Sequence, residues 1–372
     1  MRLNYKATHH LKEIFYITAV WVVIAMAYIY AKFDDIPDRV LAEIYPHQSA
    51  LTKQWLYEIT FMISLTIGLS LGTLHTFFYS RLARSKSMLF NIVLRAFAIF
   101  VLSVLALIII TNIYRRNPEH ILADLSEMAQ SNFVINTFIS IVITENFIGF
   151  FILLRRNLGS KFLLNMIINT YRNPKEEDRV FMFLDMADST LTAKDMGHSK
   201  FSRYIQDCFY DLSDIVLEHH GEIYQFVGDE AVITWKVSPS FNYSKCIDLF
   251  FSYQRHLYKN KGRYRQHYGH QPVFRAALHK GLVSTALVGD YKKEIAYHGD
   301  VLNLCARLQA ACSTNNANLL VSEEFFDSCQ GCEAYISEPV LLRELKGINT
   351  LCKALFLRER TPSTDTPVGV TI

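Results

Sequence analysis

The chain has 372 residues, with 38 Lys and Arg against 35 Asp and Glu and a formal net charge of +3. That length exceeds one ordinary domain and accommodates two units, and the near-neutral charge argues against a nucleic-acid binder. Hydrophobic residues make up 51% of the chain, high for a soluble protein, and the excess lies in residues 1–155.

From the N-terminus, four stretches offer the ~20 apolar residues needed to cross a bilayer. They are 14–31, 59–80 and 96–114, all without charge, and 133–154, interrupted only by Glu145. The first does not read as a cleavable signal, because its apolar core is long and no small-residue cleavage site follows. Basic residues near the span ends set the orientation. Arg2, Lys6 and Lys12, then Arg81, Arg84 and Lys86, then Arg155, Arg156 and Lys161 form the denser set. Lys32, Arg39, Lys53, Arg115 and Arg116 on the other side are diluted by acidic residues. This predicts a multi-pass protein of the inner or plasma membrane, in contact with the lipid bilayer, with both termini and the C-terminal half in the cytoplasm. Glu145 has two readings. It bonds across a helix interface, with Asn136, Asn146 or His75 as partner, or it belongs to a sensor of a membrane or periplasmic ligand.

Residues 161–171 carry apolar side chains at helical spacing, and Asn173-Pro174 breaks the pattern. The expected division is therefore a transmembrane domain over 1–156, a helical linker over 157–178, a cytosolic domain over 179–360 and a flexible tail over 361–372. All seven cysteines (Cys208, Cys246, Cys305, Cys312, Cys329, Cys332 and Cys352) fall in the second half. An odd count there predicts reduced thiols rather than a disulfide framework. Cys329 and Cys332 have CxxC spacing, but no second pair or His cluster follows to make a metal site.

The cytosolic half opens with an apolar strand, 180–184, that ends on Asp185. A long helix is expected over 193–219, where Phe201, Ile205, Cys208, Phe209, Leu212, Ile215 and Val216 recur every three or four residues. Two β-rich runs, 223–227 and 231–235, then flank the turn signal Gly228-Asp229. A helix over 243–258, a strand over 273–279, a hairpin near Gly281 and a helix after Gly299-Asp300 follow. The order βαββαβ predicts an α+β sandwich of ferredoxin-like type.

If the first strand and the hairpin are neighbours, Asp185 and Asp229 approach one point. Two carboxylates brought together repel unless a cation lies between them, and Mg²⁺ binds through one or two carboxylates plus substrate phosphates. Ser189 and Thr190, with the backbone N–H groups after Asp185, suit phosphate oxygens. The plainer alternative makes Asp185 a turn cap and Asp229 a turn residue. Further on, Asp300 reads as a helix N-cap, and Asn303 and Arg307 lie four apart on one helical face. An amide and a permanent cation projecting together can stabilise charge developing on a ribose or phosphorus centre.

These segments, FLDMADST, YQFVGDEAVITW and HGDVLNLCARLQ, resemble in order and spacing the catalytic domain of class III nucleotidyl cyclases, over about residues 178–358. The full chain resembles bacterial membrane-anchored adenylate cyclases. The resemblance implies a lyase that turns ATP into 3′,5′-cyclic AMP and pyrophosphate. It implies that Asp185 and Asp229 bind two divalent ions, Mg²⁺ or Mn²⁺, assisted by the Met186 carbonyl. Asn303 would orient the ribose and Arg307 would stabilise the transition state. Lys346 would hold terminal phosphates, with Arg275 at a second phosphate-contact position. In this family the metal Asp residues and the Asn/Arg pair come from opposite subunits, which implies a homodimer with shared sites. The sequence departs from the pattern at base selection. Where adenylate cyclases usually have Lys and Asp or Thr, and guanylate cyclases Glu and Cys, this chain has Gln225 and Ala296. A guanylate or relaxed-specificity cyclase, and a catalytically silent nucleotide-binding receptor, are the alternatives.

Overall fold

A computed structural model describes residues 2–40, 53–79, 132–158, 170–332, 335–342 and 352–359, with scattered positions between 90 and 105 and residues 165 and 168. Two compact units are present, Met1–Leu164 and Asn165–Ile372.

In the first unit, α1 (Arg2–Phe33), α2 (Lys53–Thr73) and α3 (Asn132–Leu158) are helical, and α2 runs on into a π-helical turn, Leu74–Tyr79. Small residues recur every four positions along α2 at Ser64, Gly68 and Gly72, and α1 approaches closely there. A Cβ on Gly68 would lie 2.9 Å from Thr18 Cα, and one on Gly72 would lie 3.2 Å from Ile14 Cα. Close approach at small residues is common where helices pack in lipid. Ile17, Trp21, Ile67, Leu71 and Ile148 bury themselves beside the seam. The outward positions are apolar too: Phe15, Tyr16 and Val23 on α1, Met62 on α2, and Ile143 and Phe147 on α3 are exposed. A water-soluble helix would carry its apolar residues in one stripe.

Among the described residues, two helical stretches are long and apolar enough to cross a membrane, His10–Phe33 and Leu56–Phe77. The expected fourth span is helical, but its apolar stretch, Ile139–Ile152, is shorter. The expected third, 96–114, lies largely outside the described residues, as do most of the linker segment 161–169 and the tail. Glu145 is buried and accepts a hydrogen bond from Trp21 Nε1 at 3.2 Å. Trp21 was not among the expected partners, and Asn146 instead donates to Val142 O within its own helix. An indole N–H needs an acceptor once buried, so a tryptophan counts as a polar group inside an apolar span.

The second unit follows the order β1 (Lys175–Met186), α4 (Ser189–Met196), α5 (His198–Glu218), β2 (Glu222–Val227), β3 (Glu230–Lys236), α6 (Ser244–Lys259), α7 (Lys261–Tyr268) and β4 (Phe274–Val288). Then come β5 (Glu294–His298), α8 (Asp300–Thr314), β6 (Leu319–Ser322), α9 (Glu323–Asp327), β7 (Tyr335–Leu342) and β8 (Cys352–Glu359). The sheet order is β2-β3-β1-β4-β6-β8-β7, with β5 on β4. β1 runs antiparallel between β3 and β4, and β2 is antiparallel to β3. The first four strands therefore take the split βαββαβ arrangement, and β6 joins β4 in parallel.

β1 is covered on both sides, which is why it reads as an unbroken apolar run. Val180, Met182, Leu184 and Met186 pack with Tyr204, Cys208 and Leu212 of α5 and Ile247, Phe250 and Tyr253 of α6. Phe181 and Phe183 face Val301, Cys305 and Leu308 of α8. By alternation, Asp185 points to the α8 side.

Three local expectations are corrected. The long helix is two, α4 and α5, divided at Gly197, whose φ of +78° interrupts helical geometry. Gly281 makes no hairpin and sits inside β4; a Cβ there would come 2.7 Å from Val301 Cγ2, so the glycine admits α8 to the sheet. Cys208, Cys246, Cys305 and Cys312 are free thiols, as expected, and all four are buried, but Cys329 and Cys332 form a disulfide. The turn through Gly331 (φ +91°) brings their Cα atoms to 5.5 Å, within disulfide reach.

At the start of β1 a buried carboxylate, Glu177, accepts bonds from Tyr171 Oη (2.9 Å), Arg179 Nε (2.8 Å) and Lys236 Nζ (2.6 Å). The Arg179 guanidinium also lies 4.6 Å from the centre of the Tyr297 ring. Burial pushes the Glu177 pKa up, but the bonds from Lys236 and Arg179 outweigh it and hold the group below the usual glutamate value. A depressed folded pKa gives stability that is complete above the unfolded value and is lost as pH falls through the folded one. Glu177→Gln leaves Arg179 buried beside a weaker acceptor, so it should lower stability by about 3 kcal/mol at neutral pH. The melting temperature of the full-length protein reads this loss, and the gap to the parent should narrow below about pH 4.

Candidate active site

Asp185 is the last residue but one of β1, half-buried, with Glu230 of β3 on one side of it and Arg275 of β4 on the other in strand register. Asp229 occupies the two-residue turn between β2 and β3, after Gly228 at φ +63°. Only a tight turn returns β3 beside β1 with an acidic residue at its tip, and glycine supplies the left-handed backbone it needs. The turn brings Asp229 to Asp185. The Asp185 pKa is pushed up to about 6, first by burial and then by the charge and hydrogen bond of Asp229. Gln309 Nε2 donates to Asp185 Oδ2 at 3.0 Å and acts in the other direction, as does the Met186 backbone N–H. Glu230 is a third carboxylate in the same field, pushed up to about 7 by burial, then by Asp185 and Asp229.

Raised carboxylate pKa values at one strand edge mean that the anionic forms lack compensation there. Such crowding of part-buried carboxylates favours the uptake of positive charge. Among the described residues no ready-made cluster of three or more His, Cys, Asp and Glu is shaped around a metal. The donor set is a carboxylate pair, the set that suits Mg²⁺ completed by substrate phosphates. The residues present therefore fit a divalent cation.

The other expected site residues fall as follows. Met186 turns its side chain into the core, 3% exposed, on the face opposite Asp185. Ser189 and Thr190 open α4 directly after Asp188, which takes the left-handed conformation (φ +53°). This kink ends β1 and aims the following backbone across the strand end. Gln225 is exposed on β2 at an irregularity in its pairing with β3, and Ala296 sits on β5 opposite Ala286. Asn303 is exposed and Arg307 half-exposed on α8, and neither makes a side-chain hydrogen bond or ion pair among the described residues. Lys346 lies outside the described residues. Asp300 is the first residue of α8 rather than its cap, which is Gly299. Glu230 and Gln309 were missed. The first follows Asp229 directly and pairs with Asp185, a clue available once the hairpin register is known. The second ends the motif HGDVLNLCARLQ but touches Asp185 only through the fold.

Residues 172–352 match the family described as adenylate and guanylate cyclase catalytic domain. The chain carries a class III nucleotidyl cyclase catalytic domain. It is 32% identical over 241 residues to adenylate cyclase 2 of Rhizobium meliloti (strain 1021), an alignment longer than the family match. That alignment takes in 64% of this chain and 66% of the relative's length. In fold, the cyclase is similar to a bacterial light-regulated adenylyl cyclase, with a TM-score of 0.52 and 14% identity over 64% of this chain and 69% of that one.

Two faces of α8 carry polar side chains. Asn303 and Arg307, one turn apart, share one of them. Gln309 is two residues beyond Arg307 and so roughly 200° around the helix, and it is Gln309 that points at Asp185. Asn303 and Arg307 are thereby turned away from the carboxylates of their own chain.

Proposed function

We propose that the chain is an integral-membrane adenylate cyclase that forms 3′,5′-cyclic AMP and pyrophosphate from ATP, at sites shared by two copies of the chain. The observation that carries this reading is the meeting of Asp185 and Asp229 at one end of β1 in a cyclase domain. Asp185 and Asp229 would hold two divalent ions, Mg²⁺ or Mn²⁺, with the Met186 carbonyl beside them. When bound, such ions favour the alkoxide of the ribose 3′-hydroxyl and offset the charge of the triphosphate. The 3′-oxygen bonds to the α-phosphorus as the bond from phosphorus to the bridging oxygen breaks, and pyrophosphate leaves.

The protein groups have distinct tasks. Asn303 orients the ribose, and the Arg307 guanidinium faces the charge that develops on the phosphoryl oxygens. Arg275, next to Asp185 in register, and Lys346 take the outer phosphates, with Ser189 and Thr190 near the start of α4. The homodimer is supported by the two faces of α8. Asn303 and Arg307 point away from their own carboxylates, and a twofold pair of chains would direct each helix to the other's site. The membrane reading rests on two long apolar helices whose outer faces are apolar as well. With the basic residues at the span ends it gives four spans and a cytoplasmic catalytic domain, and buried Glu145 is the natural place for a membrane-borne stimulus to act.

A second reading is favoured by the exposed amide of Gln225 and the methyl of Ala296, neither of which selects adenine by charge. An amide both donates and accepts, so it can pair with either purine. Mass spectrometry of the product from purified membranes given ATP or GTP, with Mg²⁺ or Mn²⁺, decides between them. The expected product is cyclic AMP, formed only with a divalent ion present. Cyclic GMP alone would transfer the assignment to a guanylate cyclase, and no cyclic product from either nucleotide would remove the enzymatic reading.

A further inference from the structure

Gln309 is carried on a helix with little freedom to move. Val301, Cys305, Leu308 and Cys312 form its buried face. The Cys305 thiol donates to the carbonyl oxygens of Phe181 on β1 and Ala277 on β4, both at 3.4 Å, and the Cys312 thiol donates to that of Ala276 at 3.3 Å. Gly281 lets Val301 rest on the β4 backbone, with no room for a Cβ between them. Asp185 is equally constrained, since its strand is paired on both sides up to that residue. The 3.0 Å bond from Gln309 Nε2 to Asp185 Oδ2 therefore joins two rigid elements.

The chemistry of the donor is informative. Lys or Arg at this position would neutralise Asp185 and compete with any cation for it. A carboxamide restrains one oxygen and leaves the negative charge in place. We infer that Gln309 is a positioning residue whose amide fixes the Asp185 carboxylate so that it faces a divalent cation together with Asp229. This rests on the metal reading proposed above. The same helix carries Asn303 and Arg307 on another face, so Gln309 ties the carboxylate of one site to the helix that serves the other.

The test uses the full-length protein in detergent with 3′-deoxy-ATP, which lacks the attacking hydroxyl and so permits no turnover. The rise in melting temperature with added Mn²⁺ gives a binding midpoint, and half-maximal turnover of ATP gives a second. Gln309→Leu and Gln309→Met should raise both Mn²⁺ midpoints by about tenfold or more, as loss of a group orienting a metal ligand does, while KM for ATP stays within about twofold. Gln309→Lys should weaken the Mn²⁺ response further, because its ammonium would pair with Asp185. Parental Mn²⁺ midpoints in the Leu and Met variants would overturn the inference, whether or not the metal-free melting temperature falls. Asp185→Asn separates the two levels. If it abolishes the Mn²⁺ response while the Gln309 variants keep theirs, only the positioning role fails. If it too responds as the parent does, the metal assignment fails and the inference with it.

Discussion

Asp185→Ala is expected to lower formation of cyclic nucleotide at least about a thousandfold, because a lost cation ligand removes several kcal/mol of transition-state stabilisation. The substitution should leave the fold intact. Asp185 lies at the end of β1 rather than in its buried centre, and its neighbours Asp229 and Glu230 oppose its charge. Removing it relieves repulsion, so the metal-free melting temperature should hold or rise while activity vanishes. That pairing of outcomes separates a site that sacrifices stability for function from an ordinary capping aspartate, whose loss would lower stability and spare turnover. Activity assays and melting curves on the same membrane preparations check both halves.

Arg307→Ala should lower kcat about a hundred- to a thousandfold with little change in KM, the pattern of a group that acts on developing charge rather than on the bound ground state. Its structural cost should be small. Arg307 is partly exposed and makes no ion pair or side-chain hydrogen bond among the described residues. A guanidinium with no partner among the described residues, four residues from an exposed asparagine, fits the proposed role on substrate across an interface better than a role in local stability. Arg307→Lys should recover little, since a point charge does not reproduce the planar, forked donor set.

Much of the placement of the candidate residues was legible before the fold was known, for physical reasons that differ from residue to residue. Asp185 stood out because β1 is buried on both faces, so its sequence is an apolar run with a single abrupt charge at the end. Asp229 was legible because a two-residue turn demands Gly-Asp-like chemistry, and the turn fixed its place beside β1. That Asn303 and Arg307 share a face followed from helical period, which also gave the apolar face of α8, while their proposed roles came from the family resemblance alone. Other features needed three dimensions. Gly281 is ambiguous in sequence, because a glycine serves a turn and a close contact equally well, and here the contact with Val301 decided it. Gln309 is an unremarkable polar residue until the packing of α8 aims it at Asp185. Glu230 becomes part of the site only through its register partner. In the first unit, Glu145 announced itself as a costly buried acid, but its partner Trp21 was hidden within an apolar run.

The reading of the site as shared between two chains is tested most directly by mixing the two inactive variants. Asp185→Ala and Arg307→Ala chains, each inactive alone, are produced together and cyclic AMP formation is measured. In a mixed dimer one site carries both lesions and the other carries none, so at equal expression about a quarter of the parental activity should return. A mixture as inactive as either variant alone, with mixed dimers demonstrably present, would contradict the account.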